Sequence, residues 1–137
     1  LLKWLNNLSL IEKFVEDGHA YILKDKNITL GTFIISNKIP EEYNCPDLFD
    51  IKENNNILFV NLLLVHPFYA NKGIYSRLFS FIESFAKNNN YKHIILDSIS
   101  TDNDLNSFLQ DNNFNLSGTF YLSIQKTPFY CFKKEII

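Results

Sequence analysis

Gly73 stands where a long apolar run, Ile57 to Val65, gives way to a segment of helical period that begins at Ile74. A helix N-terminus presents about four backbone N–H groups without intrahelical partners, together with the positive end of the helix dipole. A glycine there lets an anion approach the backbone, so the amides from Asn71 to Ser76 are the first candidates for chemistry, as an anion-binding turn. The same glycine can also serve a strand-to-helix turn with no ligand, and alone it does not decide between the two. His66, before Pro67 at the strand end, reads as an exposed residue near that junction. Asp97 ends a later strand and reads as the cap of the helix after it. Cys131 reads as core, since no base is in view to activate its thiol. Cys45 and Cys131 lie far apart, match no metal-ligand spacing and are too few for a disulfide scaffold, which suits reduced thiols in a cytoplasmic protein with no metal.

The elements that must position these groups follow from periodicity. Leu8 to Glu16 has near-helical apolar spacing, with Ser9 and Glu12 in the capping-box pattern, and the helix ends at Gly18. Ala20 to Leu23 and Ile28 to Ser36 are β-rich runs joined by a charged turn of hairpin length, Lys24 to Asn27. Asn37 to Asn56 contains Pro40, Pro46 and five acidic residues without a sustained period, so it reads as a long solvated loop. Ile57 to Val65 reads as a strand buried on both faces. The helix after it should bury Ile74, Tyr75, Leu78, Phe81, Ile82 and Phe85. His93 to Leu96 is the next strand, and strand, helix and strand make a right-handed βαβ unit with a parallel pair. Asp104 to Gln110 is a further helix, and Gly118 to Leu122 and Pro128 to Lys133 close the chain as a hairpin. The expectation is an α/β domain with a mixed, largely antiparallel sheet around that parallel pair.

Composition narrows the classes. The 137 residues are 46% hydrophobic and 20% charged, enough apolar material for one core and far from a disordered chain. One domain over residues 1–137 is expected. The net charge of −2 argues against nucleic acid as a partner. The apolar runs are far shorter than the roughly 18 residues a membrane helix needs, so no membrane association is expected. The Asn runs at 54–56 and 88–90 read as loop filler, and the start at Leu1 without Met suggests residues upstream.

The stretch Val65-His66-Pro67-Phe68-Tyr69-Ala70-Asn71-Lys72-Gly73-Ile74-Tyr75-Ser76-Arg77-Leu78 resembles the acyl-CoA loop of the GCN5-related N-acetyltransferases, the GNAT family. The likeness continues through Asn90 to Asp97 and through Asn106 to Phe114, and the order of elements from Ala20 to Lys133 agrees with that family. The resemblance implies a GNAT-like acyl-CoA N-acyltransferase fold whose central parallel strands splay apart. It implies acetyl-CoA as cosubstrate, with the pyrophosphate on the amides of Asn71, Lys72, Gly73, Ile74, Tyr75 and Ser76. The pantetheine would align on the backbone of Leu63, Leu64 and Val65, with Asp102, Asn103 and Asn106 completing the cofactor side. The family normally carries one more strand and helix before the first helix, which this sequence does not supply. The sheet edge would then be bare unless a longer gene product or another chain, as in a homodimer, covers it.

The departures from the family pattern fall on the loop and on the chemistry. Ala70 replaces the family's Arg or Gln but leaves the amides, and Tyr75 replaces a small residue and must turn toward the apolar side of its helix. Asn113 stands for a glycine, which Asn tolerates in a left-handed position. Leu109 aligns with the Tyr that protonates the leaving thiolate, and Asn61 with the Glu that acts as base, so neither usual proton carrier is present. His66 and Tyr121 are the candidate replacements, with Asn61 at the catalytic position and Tyr130 and Tyr69 weaker candidates. Orientation of amine and thioester alone can supply much of the rate. The implied function is transfer of acetyl to a primary amine of a small molecule or peptide. The alternative is a catalytically degenerate relative that binds acyl-CoA or a protein partner without turnover.

Overall fold

The computed structural model describes residues 8–40, 43, 56–70, 73–122 and 126–136. Cys45 and the rest of 41–42 and 44–55 in the acidic loop lie outside the described residues, as do Asn71 and Lys72. In chain order the elements are α1 (Leu8–Glu16), β1 (Ala20–Asp25), β2 (Ile28–Ser36), β3 (Ile57–Val65), a 3-10 turn (Pro67–Tyr69), α2 (Ile74–Asn88), β4 (His93–Ile99), α3 (Asn103–Asp111), β5 (Asn115–Phe120) and β6 (Phe129–Glu135). Among the described residues six strands form one sheet in the order β1-β2-β3-β4-β6-β5. β3 and β4 are parallel and every other pair is antiparallel, as the βαβ reading requires.

Alternation along the strands divides the core into two faces. Phe33 and Ile35 of β2, Leu58 and Val60 of β3, Ile94 and Leu96 of β4 and Phe132 of β6 pack with α2 and α3 on one face. Ile57, Phe59, Ile95, Phe120, Phe129 and Cys131 face the other way, under Tyr43. α1 lies against Ile34 through Phe14. The sheet is thus the middle of three layers, and Cys131 is core as expected.

The end of β4 and the buried face of α2 differ from the sequence reading, each for one reason. β4 runs on to Ile99 because β6 pairs with it over that whole length, from His93–Glu135 to Ile99–Phe129. Asp97 is therefore still inside a strand and is not the cap of α3, which Asp102 caps by accepting from Leu105 N at 3.1 Å. On α2 the buried residues are Ile74, Leu78, Phe79, Ile82 and Ala86, while Phe81 is 44% exposed. The row Ile74-Leu78-Ile82-Ala86 follows the i+4 ridge onto the sheet. α3 lies beside α2 on the same face, so the flank carrying Phe79 is buried and the flank carrying Phe81 is left partly open against Tyr21 and Phe33.

His93 opens β4 with Nδ1 buried and without a hydrogen-bond partner among the described residues. Burial, and then the Lys133 charge, lower its pKa, against an opposing pull from Glu135. The fold therefore prefers the neutral ring. Its contribution is complete above the ordinary histidine value of about 6.5 and is lost as pH falls below it toward the folded value. Thermal midpoints measured across that window should drop with acid more steeply for the native chain than for His93→Leu. Equal slopes would remove His93 as a source of acid sensitivity.

Candidate functional site

The site begins where the parallel ladder stops. β3 and β4 pair from Ile57–His93 to Val60–Leu96 and no further, although β3 continues to Val65 and β4 to Ile99. Beyond Val60 the two strands part, and β3 changes from buried to half-buried at Leu62. The cause lies on the other edge of β3, where the register with β2 jumps from Ile34–Asn61 to Thr32–Leu64. Two residues of β3 thus face one of β2, a bulge, and Leu62 adopts φ +47 to make it. A leucine in the left-handed region costs about 1–3 kcal/mol and persists only where its surroundings enforce it. Nothing in a leucine announces such a backbone, so periodicity alone passes over Leu62. The edge of Leu63, Leu64 and Val65 that faces away from β2 is left outside the β4 ladder, which is where an extended ligand could hydrogen-bond.

The chain leaves β3 through a tight turn. His66 N donates to Leu30 O at 2.8 Å, and His66 Nδ1 accepts from Phe68 N at 3.2 Å as the cap of the 3-10 turn. That bond uses Nδ1 as an acceptor and leaves Nε2 as the ring nitrogen outside the turn. Tyr69 packs on the His66 ring at 5.1 Å between centroids. Gly73 then caps α2 at φ +75 with no side-chain hydrogen bond, and a Cβ built there would meet nothing within 4 Å. The first helical bond is Arg77 N to Gly73 O, so the amides of Ile74, Tyr75 and Ser76 are not used within the helix. Their position beyond the open end of β3 puts these unused amides at the mouth of the splay.

The other candidates divide around this mouth. Tyr75 turns toward α3 and packs on Phe108 at 5.7 Å with the rings tilted, as its bulk demands. Burial, then Asp102 and Asp104, push its phenol up to about 12, so it stays a hydroxyl donor through the physiological range. Asn106 is buried and donates from Nδ2 to Ile99 O and Ser100 O at 3.2 and 3.3 Å, tying α3 to the end of β4. Its Oδ1 and that of Asn61 are buried with no partner among the described residues. Asn103 begins α3 and is exposed, and Asp102 holds the cap already described. Tyr121 follows β5 and is 65% exposed, on the surface rather than in the core. Asn113 has φ +66, the left-handed position expected of it. Gly73, Ile74, Tyr75 and Ser76 thus stand together at the α2 start, and Asn61 to Val65 line the splay. His66 stands at the turn between them, and Asp102, Asn103 and Asn106 gather at the α3 start.

Leu109 is fully buried on the inner side of α3. Placing a tyrosine there adds volume and a hydroxyl to a filled core. Leu109→Tyr should therefore lose about 1–3 kcal/mol in denaturant unfolding. A variant as stable as the native chain would mean that the site has room for a phenol.

No family model matches the chain, and no curated protein is significantly similar to it. Solved structures are similar in fold. Ard1 from Thermoplasma volcanium superposes with a TM-score of 0.74 at 14% identity, over 94% of this chain and 79% of that one. A GNAT-family acetyltransferase from Bacillus cereus gives 0.69 at 18% identity, over 94% and 78%. The yncA structure from Salmonella typhimurium, solved with its cofactor acetyl-CoA, gives 0.68 at 12% identity, over 96% and 73%. The chain has the fold of the GNAT acetyltransferases.

Proposed function

We propose that the chain belongs to the GNAT family and transfers acetyl from acetyl-CoA to a primary amine. The single observation that carries this reading is the end of the parallel ladder at Val60–Leu96 beside the left-handed Gly73 cap of α2. The splay offers an extended acyl carrier a free strand edge, and the helix start offers its pyrophosphate unused amides on the positive end of a dipole. Leu63, Leu64 and Val65 would hold the pantetheine, and Asn71, Lys72, Gly73, Ile74, Tyr75 and Ser76 the phosphates. A structure of this fold solved with acetyl-CoA supports the choice of cosubstrate.

Catalysis would rest on holding the amine in line with the thioester carbon, the nitrogen forming its bond as the sulfur leaves with its electron pair. His66 and Tyr121 are the exposed groups through which protons could pass to water. A second reading, an acyl-CoA binder without turnover, is favoured by one observation. The two positions where the family keeps its base and acid hold a buried amide, Asn61, and a buried alkyl group, Leu109. The acceptor in the first reading is a small-molecule or peptide amine.

Isothermal titration with acetyl-CoA separates both readings from a fold without the ligand, and thiol release with a panel of amines separates enzyme from binder. We expect saturable heat, and thiol release above the hydrolytic background with at least one amine. Millimolar acetyl-CoA giving neither heat nor a thermal shift would leave only the fold.

A further inference from the structure

The end of α2 far from Gly73 closes over a cavity of about 210 Å³, set between that helix and the β1–β2 edge of the sheet. At 1.5 Å per residue Phe85 lies about 18 Å along the helix axis from Gly73, so this cavity is separate from the mouth of the splay. Ile35 and Leu58, both buried, form its floor, and the exposed Gly18 and Asn37 leave it open to water at the rim. Tyr21, Phe85 and Tyr91 make its walls. Phe33 stacks on Tyr21 at 5.4 Å, and Phe85 meets Tyr21 at 65° and Tyr91 at 22°. The rings brace one another, so the walls are preformed.

Two polar side chains belong to the lining inside that rim. Ser36 is 3% exposed, its Oγ accepts from Lys38 N at 3.0 Å, and its hydroxyl proton has no acceptor among the described residues. Ile35 O can only accept, so His19 donates to it from Nδ1 at 3.0 Å, and in the neutral ring Nε2 is left as an acceptor. No Asp, Glu, Lys or Arg lines the cavity. A charged guest would therefore give up its water for no counter-charge, and an alkane would leave the Ser36 proton unmet. A neutral ring with a polar group gains ring contacts from the walls and can use both the donor and the acceptor. About 150 Å³ is enough for one benzene ring, so this cavity admits a single ring with a short substituent. We infer that it is a second binding site, taking a small neutral aromatic molecule with a hydrogen-bonding substituent such as a carboxamide. The amide oxygen accepts from Ser36 and its N–H donates to His19 Nε2.

The test needs no acetyl-CoA. Nicotinamide is titrated into the isotope-labelled chain well above the ordinary histidine pKa of about 6.5, where His19 is neutral. Two counterparts are titrated separately: cyclohexanecarboxamide, which keeps the amide without the aromatic ring, and nicotinate, which keeps the ring and adds a charge. The backbone amides of Ser36, Asn37 and Tyr91 are followed by NMR, with those of Ile74 to Ser76 as the reference at the other end of α2. Saturable shifts at the first group and none at the second are expected with nicotinamide, and binding at least about threefold weaker for each counterpart. Ser36→Ala, which removes the donor, and Phe85→Leu, which removes a ring but keeps apolar volume, should each weaken nicotinamide by about threefold or more. Absent or unsaturable shifts, equal affinity for either counterpart, or undiminished binding in both variants would overturn the assignment. Shifts confined to Ile74 to Ser76 would overturn it as well, by moving the ligand to the phosphate turn. If Phe85→Leu fails to fold, Ser36→Ala and the two counterparts on the native chain decide.

Discussion

Gly73→Asp should weaken acetyl-CoA binding by about tenfold or more, because it puts a carboxylate where the pyrophosphate would lie and occupies the dipole itself. The backbone sharpens the test. Gly73 sits at φ +75, where an L residue costs about 1 kcal/mol. Asp is favoured as a helix cap from extended backbone, and in this left-handed position the usual cap geometry is not available to it. The variant should therefore lose some stability as well as affinity, and the two losses must be separated. Gly73→Ala does so. A Cβ there meets nothing within 4 Å, so alanine carries the backbone cost without clash or charge. Titration calorimetry should show the alanine variant close to native in affinity and the aspartate variant far weaker, with similar falls in thermal midpoint. If both weaken alike, the glycine acts through its conformation and not through an anion. If neither weakens while both stay folded, the cosubstrate does not use this turn.

How much of the fold and site is legible in the sequence depends on whether a residue reports its own backbone. The element order, the parallel pair of β3 and β4 and the Gly73 junction are legible because runs such as Ile57 to Val65 and the i+4 row Ile74-Leu78-Ile82 repeat the period of the structure they form. Gly73 and Asn113 also announce themselves, since their side chains suit the positive φ that both adopt. Leu62 does not, because a leucine at φ +47 runs against its own preference and is set there by the sheet around it. Asp97 misleads for a related reason. Whether an acidic residue caps a helix or remains in a strand depends on how far β6 pairs, and that contact is distant in sequence. The Tyr43 hydroxyl that meets Asp97 comes from 54 residues away, in a stretch without a period, and no local pattern could connect the two.

Phe79 is the sharpest case, and it carries the largest stability effect expected here. Periodicity allows α2 to bury either flank beside its central row, and only the position of α3 chooses the Phe79 side. The ring is 2% exposed and meets Phe108 of α3 at 5.3 Å and Phe114 at 5.5 Å, the latter edge to face. Phe79→Ala removes a full aromatic side chain from a buried, packed corner and should cost about 3–5 kcal/mol. Domains of this size hold about 5–15 kcal/mol in all, so the variant should unfold at far lower denaturant or fold only in part. Phe81→Ala is the control, since that ring is 44% exposed and should cost well under half as much. The consequence reaches the site. Phe108 also carries the Tyr75 ring, so loosening α3 from α2 frees the first turn of the helix whose amides would hold the phosphates. Where Phe79→Ala remains folded, acetyl-CoA affinity should fall with it, and Phe81→Ala should leave that affinity near native. Equal destabilisation by the two alanines would show that the flank facing β1 and β2 anchors the helix as much as the one facing α3.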